Sequence, residues 1–187
     1  MAECAAVPEP LLVIVGPTAG GKTALAVELA LRLGGECISA DSMQVYRGMD
    51  IGTAKPTPAE QRGVPHHLLD LVDPSDDGFT VDDWLEHCDR AVDEIRGRGR
   101  VPIVVGGTNL YVRALLEGLF KGPEPDPALR ALLEATQLDV LRTELEAVDP
   151  RAAERIHPND RRRTVRAVEV FRSTGRALSE HQTQWSE

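Results

Sequence analysis

The segment Gly16-Pro-Thr-Ala-Gly-Gly-Lys-Thr23 fits G-x-x-x-x-G-K-[ST], and it lies between an apolar run at residues 11–15 and a stretch of helical spacing at residues 22–33. This feature constrains the fold more than any other. Its glycines let the backbone curl so that successive N–H groups point inward at phosphate oxygens. A following helix aims its positive end at the same point. The loop therefore needs a strand before it and a helix behind it, and the flanking residues supply both patterns. Gly16, Pro17, Thr18, Ala19, Gly20, Gly21, Lys22 and Thr23 are read as a cradle for the diphosphate or triphosphate end of a small molecule. Lys22 offers a mobile ammonium to the terminal phosphate, and Thr23 offers a hydroxyl to Mg²⁺. Lys22 is one of only three lysines, with Lys55 and Lys121, in a chain that otherwise uses arginine; a compact point charge suits a narrow site.

Alternation of short apolar runs with helical spacing continues beyond the loop. Strands are expected at residues 36–40, 67–72 and 101–105. Helices are expected at residues 80–95, where Val81, Trp84, Leu85, Cys88, Val92 and Ile95 share a side, and from Thr108 as cap to about Glu117. Such alternation implies an α/β fold, a P-loop NTPase-like parallel sheet with helices on both faces. Gly122-Pro-Glu-Pro-Asp-Pro127 reads as a linker, and short helices are expected at residues 127–135, 138–147 and 162–173. The expected division is a core at residues 10–122, a small helical insertion at residues 123–160, and a return to the core at residues 161–187. In parallel sheets ligands collect beyond the carboxyl ends of the strands. The glycine loop, Asp41 and Gly106-Gly107-Thr108 all follow strands, so they should face one crevice.

Composition narrows the partners. The formal charge of −9 disfavours generic nucleic-acid binding, and 4% aromatics leave little for a base-stacking platform. Residues 151–176, however, carry eight arginines against Glu154, Asp160 and Glu169. That stretch is either a solvated helix face or a local grip on phosphates. No apolar run is long enough to cross a bilayer, and no secretory leader is read at the N-terminus. Cys4, Cys37 and Cys88 are widely spaced without CxxC, which argues for reduced thiols, a cytoplasmic location, and no disulfide framework or zinc site. The five scattered histidines show no zinc-ligand spacing and are read as structural or loop residues, Trp84 is read as core, and Tyr46 and Tyr111 either line a pocket or pack.

A carboxylate at a strand end beside a phosphate loop can hold Mg²⁺ through water or accept a proton from a nucleophile; it can also be a turn residue. Asp41 opens such a segment, Ser39-Ala-Asp-Ser-Met-Gln-Val-Tyr-Arg-Gly-Met-Asp-Ile-Gly-Thr-Ala-Lys-Pro56. Together with the glycine loop, Pro65-His-His-Leu-Leu-Asp70, Val104-Val-Gly-Gly-Thr-Asn-Leu-Tyr111 and Ile156-His-Pro-Asn-Asp160, it strongly resembles the tRNA dimethylallyltransferases, also called tRNA isopentenyltransferases. The resemblance covers residues 12–178, with five motifs in one order.

It implies transfer of a dimethylallyl group from dimethylallyl diphosphate to N6 of the adenosine beside the anticodon; the protein is expected to be a cytoplasmic monomer. On this resemblance the loop holds a diphosphate leaving group, with Mg²⁺ on Thr23. Asp41 matches the catalytic aspartate that takes the amine proton. Thr18 matches a threonine that touches the bridging region of the diphosphate. Ser42, Met43 and Gln44 match contacts to the target adenosine, with Gln44 able to read its edge. Thr108, Arg130 and the stretch Arg162, Arg163, Thr164, Val165 and Arg166 match contacts to the tRNA anticodon stem-loop.

Three departures stand out. Gly20 stands where serine is frequent, and Arg161 follows Asp160 where proline is common. The chain also stops at Trp185-Ser-Glu187 where family members continue. A fragment that folds, binds diphosphate weakly and transfers poorly is therefore the expectation. Two other functions are carried, a P-loop kinase of a small metabolite and a non-catalytic module binding tRNA or diphosphate.

Overall fold

The computed structural model describes residues 10–76, 78–120, 122–123 and 126–181. The chain forms two compact units, with the boundary between Leu116 and Glu117.

The first unit is built on four parallel strands, β1 (Leu12–Val15), β2 (Gly35–Ala40), β3 (His66–His67) and β4 (Val101–Gly106), in the order β1-β4-β2-β3. Every residue of β2 is buried, as expected of a central parallel strand covered on both faces. Side-chain alternation sorts the two layers. Ile38, Ala40 and Val104 pack with Trp84, Cys88, Val92 and Ile95 of α3 (Val81–Gly97). Cys37, Ile103 and Val105 pack with Ala26, Val27 and Ala30 of α1 (Lys22–Leu33). Trp84 is fully buried, stacks on Tyr111 with ring centroids 4.6 Å apart, and donates its indole N–H to the Ser39 carbonyl at 3.0 Å. Truncating it to alanine would cost about 3–5 kcal/mol. Both Trp84 and Tyr111 are therefore packing residues. Burial also pushes the Tyr111 phenol up to about 12.

Local signals explain the element ends. Thr80 and Asp83 form a reciprocal capping box at the start of α3. Gly34 closes α1 in the left-handed conformation, with φ 65°. β4 ends on Gly106 because a Cβ there would lie 2.1 Å from the Ala40 carbonyl oxygen of β2. One expectation changes. The strand expected at residues 67–72 is only His66–His67, since Leu68 and Asp70 take positive φ of 63° and 54° and turn the backbone out of the sheet. Beyond that turn a single parallel bridge joins Tyr46 to Val72. A short α2 (Pro58–Gln61) and α4 (Asn109–Glu117) complete this unit.

The second unit is helical among its described residues: α5 (Pro127–Ala135), α6 (Leu138–Val148), α7 (Pro150–Arg155), α8 (Arg161–Thr174) and α9 (Leu178–His181). Its core joins Leu133, Leu141, Leu145, Ala152, Val165 and Val168. The sequence reading places divisions at residues 122 and 160. In the structure α8 instead buries its apolar face among α5, α6 and α7, within the helical unit. Arg161 has a clear task there. Its guanidinium donates to the carbonyls of Glu134 and Thr136, satisfying acceptors left open at the end of α5. Asp160 caps α8 by accepting the Arg163 amide at 3.0 Å.

Candidate active site

Residues 16–21 join the end of β1 to the start of α1. Ala19 and Gly21 both take left-handed φ, 62° and 74°, which turns the chain tightly into the helix. Gly21 is the N-cap and gives α1 no side-chain acceptor, so the first amides of the helix are offered to the crevice instead of being capped from within. The Gly20 amide bonds the Pro17 carbonyl at 3.1 Å, and a Cβ at Gly20 would stand 3.0 Å from that oxygen. Lys22 folds its ammonium back on the Pro17 carbonyl at 2.6 Å. Thr18, Gly20, Gly21, Lys22 and Thr23 line a cavity of about 330 Å³ that also takes in Asp41, Gln44, His66 and Gly107. The glycine loop, Asp41 and Gly106-Gly107 thus share one space, while Thr108, expected beside them, is not part of its lining.

Asp41 follows β2 directly. Its Oδ1 accepts the Met43 amide at 2.9 Å, and among the described residues Oδ2 accepts nothing from the protein. Thr108 positions this turn. Its hydroxyl oxygen accepts the Ser42 amide at 2.9 Å and donates to the Ser42 hydroxyl at 3.3 Å, while its own amide bonds the Ala40 carbonyl. The side chain expected to cap α4 therefore fastens β4 to the turn carrying Asp41.

Gln44 is also differently employed. Its amide nitrogen donates to the Thr53 and Ala54 carbonyls at 3.1 and 3.3 Å, and its oxygen accepts from Ser39 at 2.9 Å. Both N–H donors are used inside the protein, so in this conformation Gln44 shapes the loop and has no N–H left to read a base. Met43 is exposed.

The segment from Asp41 to Pro56 is braced by a residue that stands out in the sequence only for its rarity. Lys55, with a side chain 6% exposed, bonds the Tyr46 carbonyl at 2.7 Å and the carboxylates of Asp70 and Asp50 at 2.6 and 2.9 Å. Burial alone would push its pKa down, but the hydrogen bonds it donates to both carboxylates outweigh it and hold the ammonium above its ordinary value. Arg47 adds two bonds to the Asp70 and Leu71 carbonyls.

In the helical unit the arginine-rich stretch is largely neutralised from within. Buried Glu169 holds Arg166 at 2.6 Å and Arg130 at 3.3 Å. Arg163 pairs with Asp160 at 3.5 Å. Thr164 and Val165 are 0% and 2% exposed, so their side chains pack into the core of the helical unit. Arg162 is exposed, and it lines a shallow cavity with Arg130, Glu134, Arg161 and Val165.

The described thiols, Cys37 and Cys88, are free and buried, and burial pushes their pKa values up to about 11 and 12. Cys4 lies outside the described residues. Among the described residues no three His, Cys, Asp or Glu side chains gather to hold a metal, and no helix is long and apolar enough to cross a membrane.

The sheet, the loop behind β1 and the helices on both faces define a P-loop NTPase-like α/β protein. The IPP transferase family model matches residues 44–187. The chain belongs to the IPP transferase family. A tRNA dimethylallyltransferase of Geobacter metallireducens is 56% identical over 92% of this chain, which spans 57% of that relative's length. One from Thermomicrobium roseum is 54% identical over 92% of the chain, and the match spans 54% of that relative. Among solved structures, a eukaryotic dimethylallyltransferase acting on tRNA superposes with a TM-score of 0.76 at 36% identity, covering 92% of this chain and 44% of that one. A tRNA isopentenylpyrophosphate transferase from Bacillus halodurans gives 0.60 at 50% identity, covering 90% and 57%. The chain thus spans about half the length of the relatives it matches.

Proposed function

We propose that this chain carries the diphosphate-binding and proton-accepting half of a tRNA dimethylallyltransferase. The observation that carries the reading is that Thr18, Lys22, Thr23 and Asp41 line one cavity. The backbone amides of the loop and Lys22 receive the diphosphate of dimethylallyl diphosphate. As the adenosine N6 amine attacks the prenyl carbon, the carbon–oxygen bond to diphosphate breaks and that pair of electrons leaves with the diphosphate. Those donors stabilise the departing charge. Asp41, through its free Oδ2, takes the N6 proton. The donor set fits Mg²⁺: with no protein cage of carboxylates, the ion would take the Thr23 hydroxyl, substrate phosphate oxygens and water, and would neutralise the leaving group. In the helical unit, Arg162 offers an exposed cation to an RNA phosphate, and Arg130, Arg163 and Arg166 do so from within ion pairs. A cytoplasmic, monomeric protein belongs to the same reading.

The test is transfer of label from dimethylallyl diphosphate to an unmodified anticodon stem-loop RNA in the presence of Mg²⁺. Label should enter the RNA, and Asp41→Ala should lower the rate about 10²–10⁴-fold while leaving diphosphate affinity largely intact. An Asp41→Ala protein as active as the parent would end the base assignment. Binding of ATP with indifference to dimethylallyl diphosphate would favour a small-molecule kinase instead.

A further inference from the structure

His66 forms part of the cavity wall at a place that neither the glycine loop nor Asp41 explains. It sits on β3 in register with Cys37 of β2, and its Nδ1 lies 2.9 Å from the Val64 carbonyl oxygen. A carbonyl can only accept, so Nδ1 carries the hydrogen and, in the neutral ring, Nε2 presents a bare lone pair. Nε2 is buried and meets no donor from the protein. Burial also lowers the His66 pKa below that of an ordinary histidine, with only partial opposition from the Val64 hydrogen bond, so the neutral ring is the favoured form. A buried acceptor left alone is costly, so a group that brings it an N–H or O–H gains accordingly.

The chemistry of the partner follows from what else lines the space. Diphosphate oxygens are acceptors and do not complement a second acceptor. The Glu60 carboxylate, which also lines the cavity, is already held by the Thr57 amide and hydroxyl, at 2.9 and 2.8 Å, and offers no donor either. The remaining substrate in the proposed reaction is a nucleoside, which carries amino and hydroxyl hydrogens. We propose that His66 is a substrate-binding residue of this cavity, its Nε2 accepting an N–H or O–H of the nucleoside and not touching the diphosphate. This rests on the proposed function above and names a further contact for its acceptor substrate.

The experiment compares His66→Asn with His66→Gln in the 187-residue chain. Asparagine keeps a short-reach donor for Val64 but has nothing at the Nε2 position; glutamine reaches that position with an acceptor. Affinity for magnesium pyrophosphate is measured by calorimetry. Affinity for the adenosine-bearing stem-loop RNA is measured by fluorescence anisotropy, and urea midpoints report folding. The expected result is about tenfold weaker RNA binding for His66→Asn, recovery to within about twofold for His66→Gln, and unchanged pyrophosphate affinity for both. RNA binding by His66→Asn equal to the parent would overturn the assignment and leave Nε2 to a buried water. Equal loss of pyrophosphate affinity in both variants would overturn it in favour of a diphosphate contact. A parent chain that binds pyrophosphate but neither the RNA nor adenosine overturns the nucleoside assignment while sparing the phosphate site. A parent that binds none of them ends the proposed function, and this contact falls with it.

Discussion

Two segments meet in the crevice, and they are held in place by different means. The loop at residues 16–21 is shaped almost wholly by backbone: two left-handed residues, one Gly20–Pro17 hydrogen bond, and the start of α1. The segment at residues 41–56 is shaped by side chains that reach back to carbonyls. Lys55, Gln44 and Arg47 make these bonds, and a buried ammonium stands at its centre. The first segment keeps its amides free and binds with them. The second uses nearly all of its polar groups on itself and contributes one free carboxylate oxygen, on Asp41. A site that must hold a diphosphate and also aim a base at a weak nucleophile needs both kinds of construction, one open and one rigid.

The sharpest test of that contrast lies in Lys55. Replacing both Asp50 and Asp70 by alanine would leave a cation 6% exposed with only the Tyr46 carbonyl. A buried charge stripped of its partners costs about 3–5 kcal/mol. Lys55→Met removes the charge itself and leaves two carboxylates that are 63% and 50% exposed and can hydrate, so its cost should be smaller, about 1–3 kcal/mol. Urea denaturation would check the order. Hydrogen exchange should rise at residues 43–55 in both proteins and stay unchanged at residues 16–21. Exchange rising equally in the two segments would erase the distinction drawn between them.

Lys22→Met should behave in the opposite way. Lys22 makes one bond to the protein, to the Pro17 carbonyl, so little stability depends on it. Losing its charged contact to a phosphate should weaken magnesium pyrophosphate binding about 10–100-fold, the scale of one hydrogen bond to a charged group. Calorimetry with pyrophosphate, beside urea midpoints, gives both readouts. A variant that unfolds more easily but binds normally would show that Lys22 braces the loop and does not serve a ligand.

Gln44→Leu should give a smaller and purely local effect. It leaves the Thr53 and Ala54 carbonyls and the Ser39 hydroxyl without their partner in a partly solvated loop, a loss of about 1 kcal/mol. Faster exchange confined to residues 43–55, with pyrophosphate affinity unchanged, is the expected pattern. If RNA affinity fell while loop exchange stayed normal, Gln44 would be reading the base after all.

The same contrast explains what is legible in the sequence. The glycine loop is a backbone device, and its residue spacing is the device, so the motif, the strand before it and the helix behind it can be read directly. So can α5, whose predicted span of residues 127–135 matches Pro127–Ala135. Asp41 can be placed at a strand end and assigned a role by resemblance. What cannot be read is how long side chains divide their bonds. Nothing in spacing says that Gln44 turns inward, that Thr108 reaches Ser42 and not its own helix, or that a lysine buries itself between two aspartates. The short β3 differs from expectation for a related reason: residues 67–72 look like a strand by composition, but positive φ at Leu68 and Asp70 is a tertiary choice. Thr164 and Val165 share a stretch with their arginine neighbours only by sequence adjacency, whereas on a helix adjacent residues face different ways. His66 carries no signal of its place in the cavity wall: it lies just outside the strand expected at residues 67–72, and without zinc-ligand spacing it reads as a structural or loop histidine.

Acidification should separate the two segments most gently. β3 borders the braced segment, and its two histidines face different surroundings. His66 is held below its ordinary pKa by burial, so the unfolded chain binds its proton first as pH falls, and stability declines as pH drops below about 6.5. On the other side of the strand, buried Glu36 meets His67 at 2.6 Å and Arg98 at 2.8 Å, with Arg100 at 3.5 Å. Desolvation alone would raise the Glu36 pKa, but the bonds from Arg98 and His67 together hold it below the usual 4.5. Its stabilisation is therefore complete above that value and is lost as pH falls through the depressed one. Urea midpoints should thus decline in two steps, one beginning near neutrality and one in the acid range. His66→Asn should remove the first step and Glu36→Gln the second. Protection from hydrogen exchange, taken relative to the intrinsic rate at each pH, should fall on acidification at residues 64–70 before it does so at residues 16–21, because β1 and its loop are anchored on β4 and bear neither group. Simultaneous loosening of both segments would mean that the sheet responds as a whole and that the braced segment has no separate foundation.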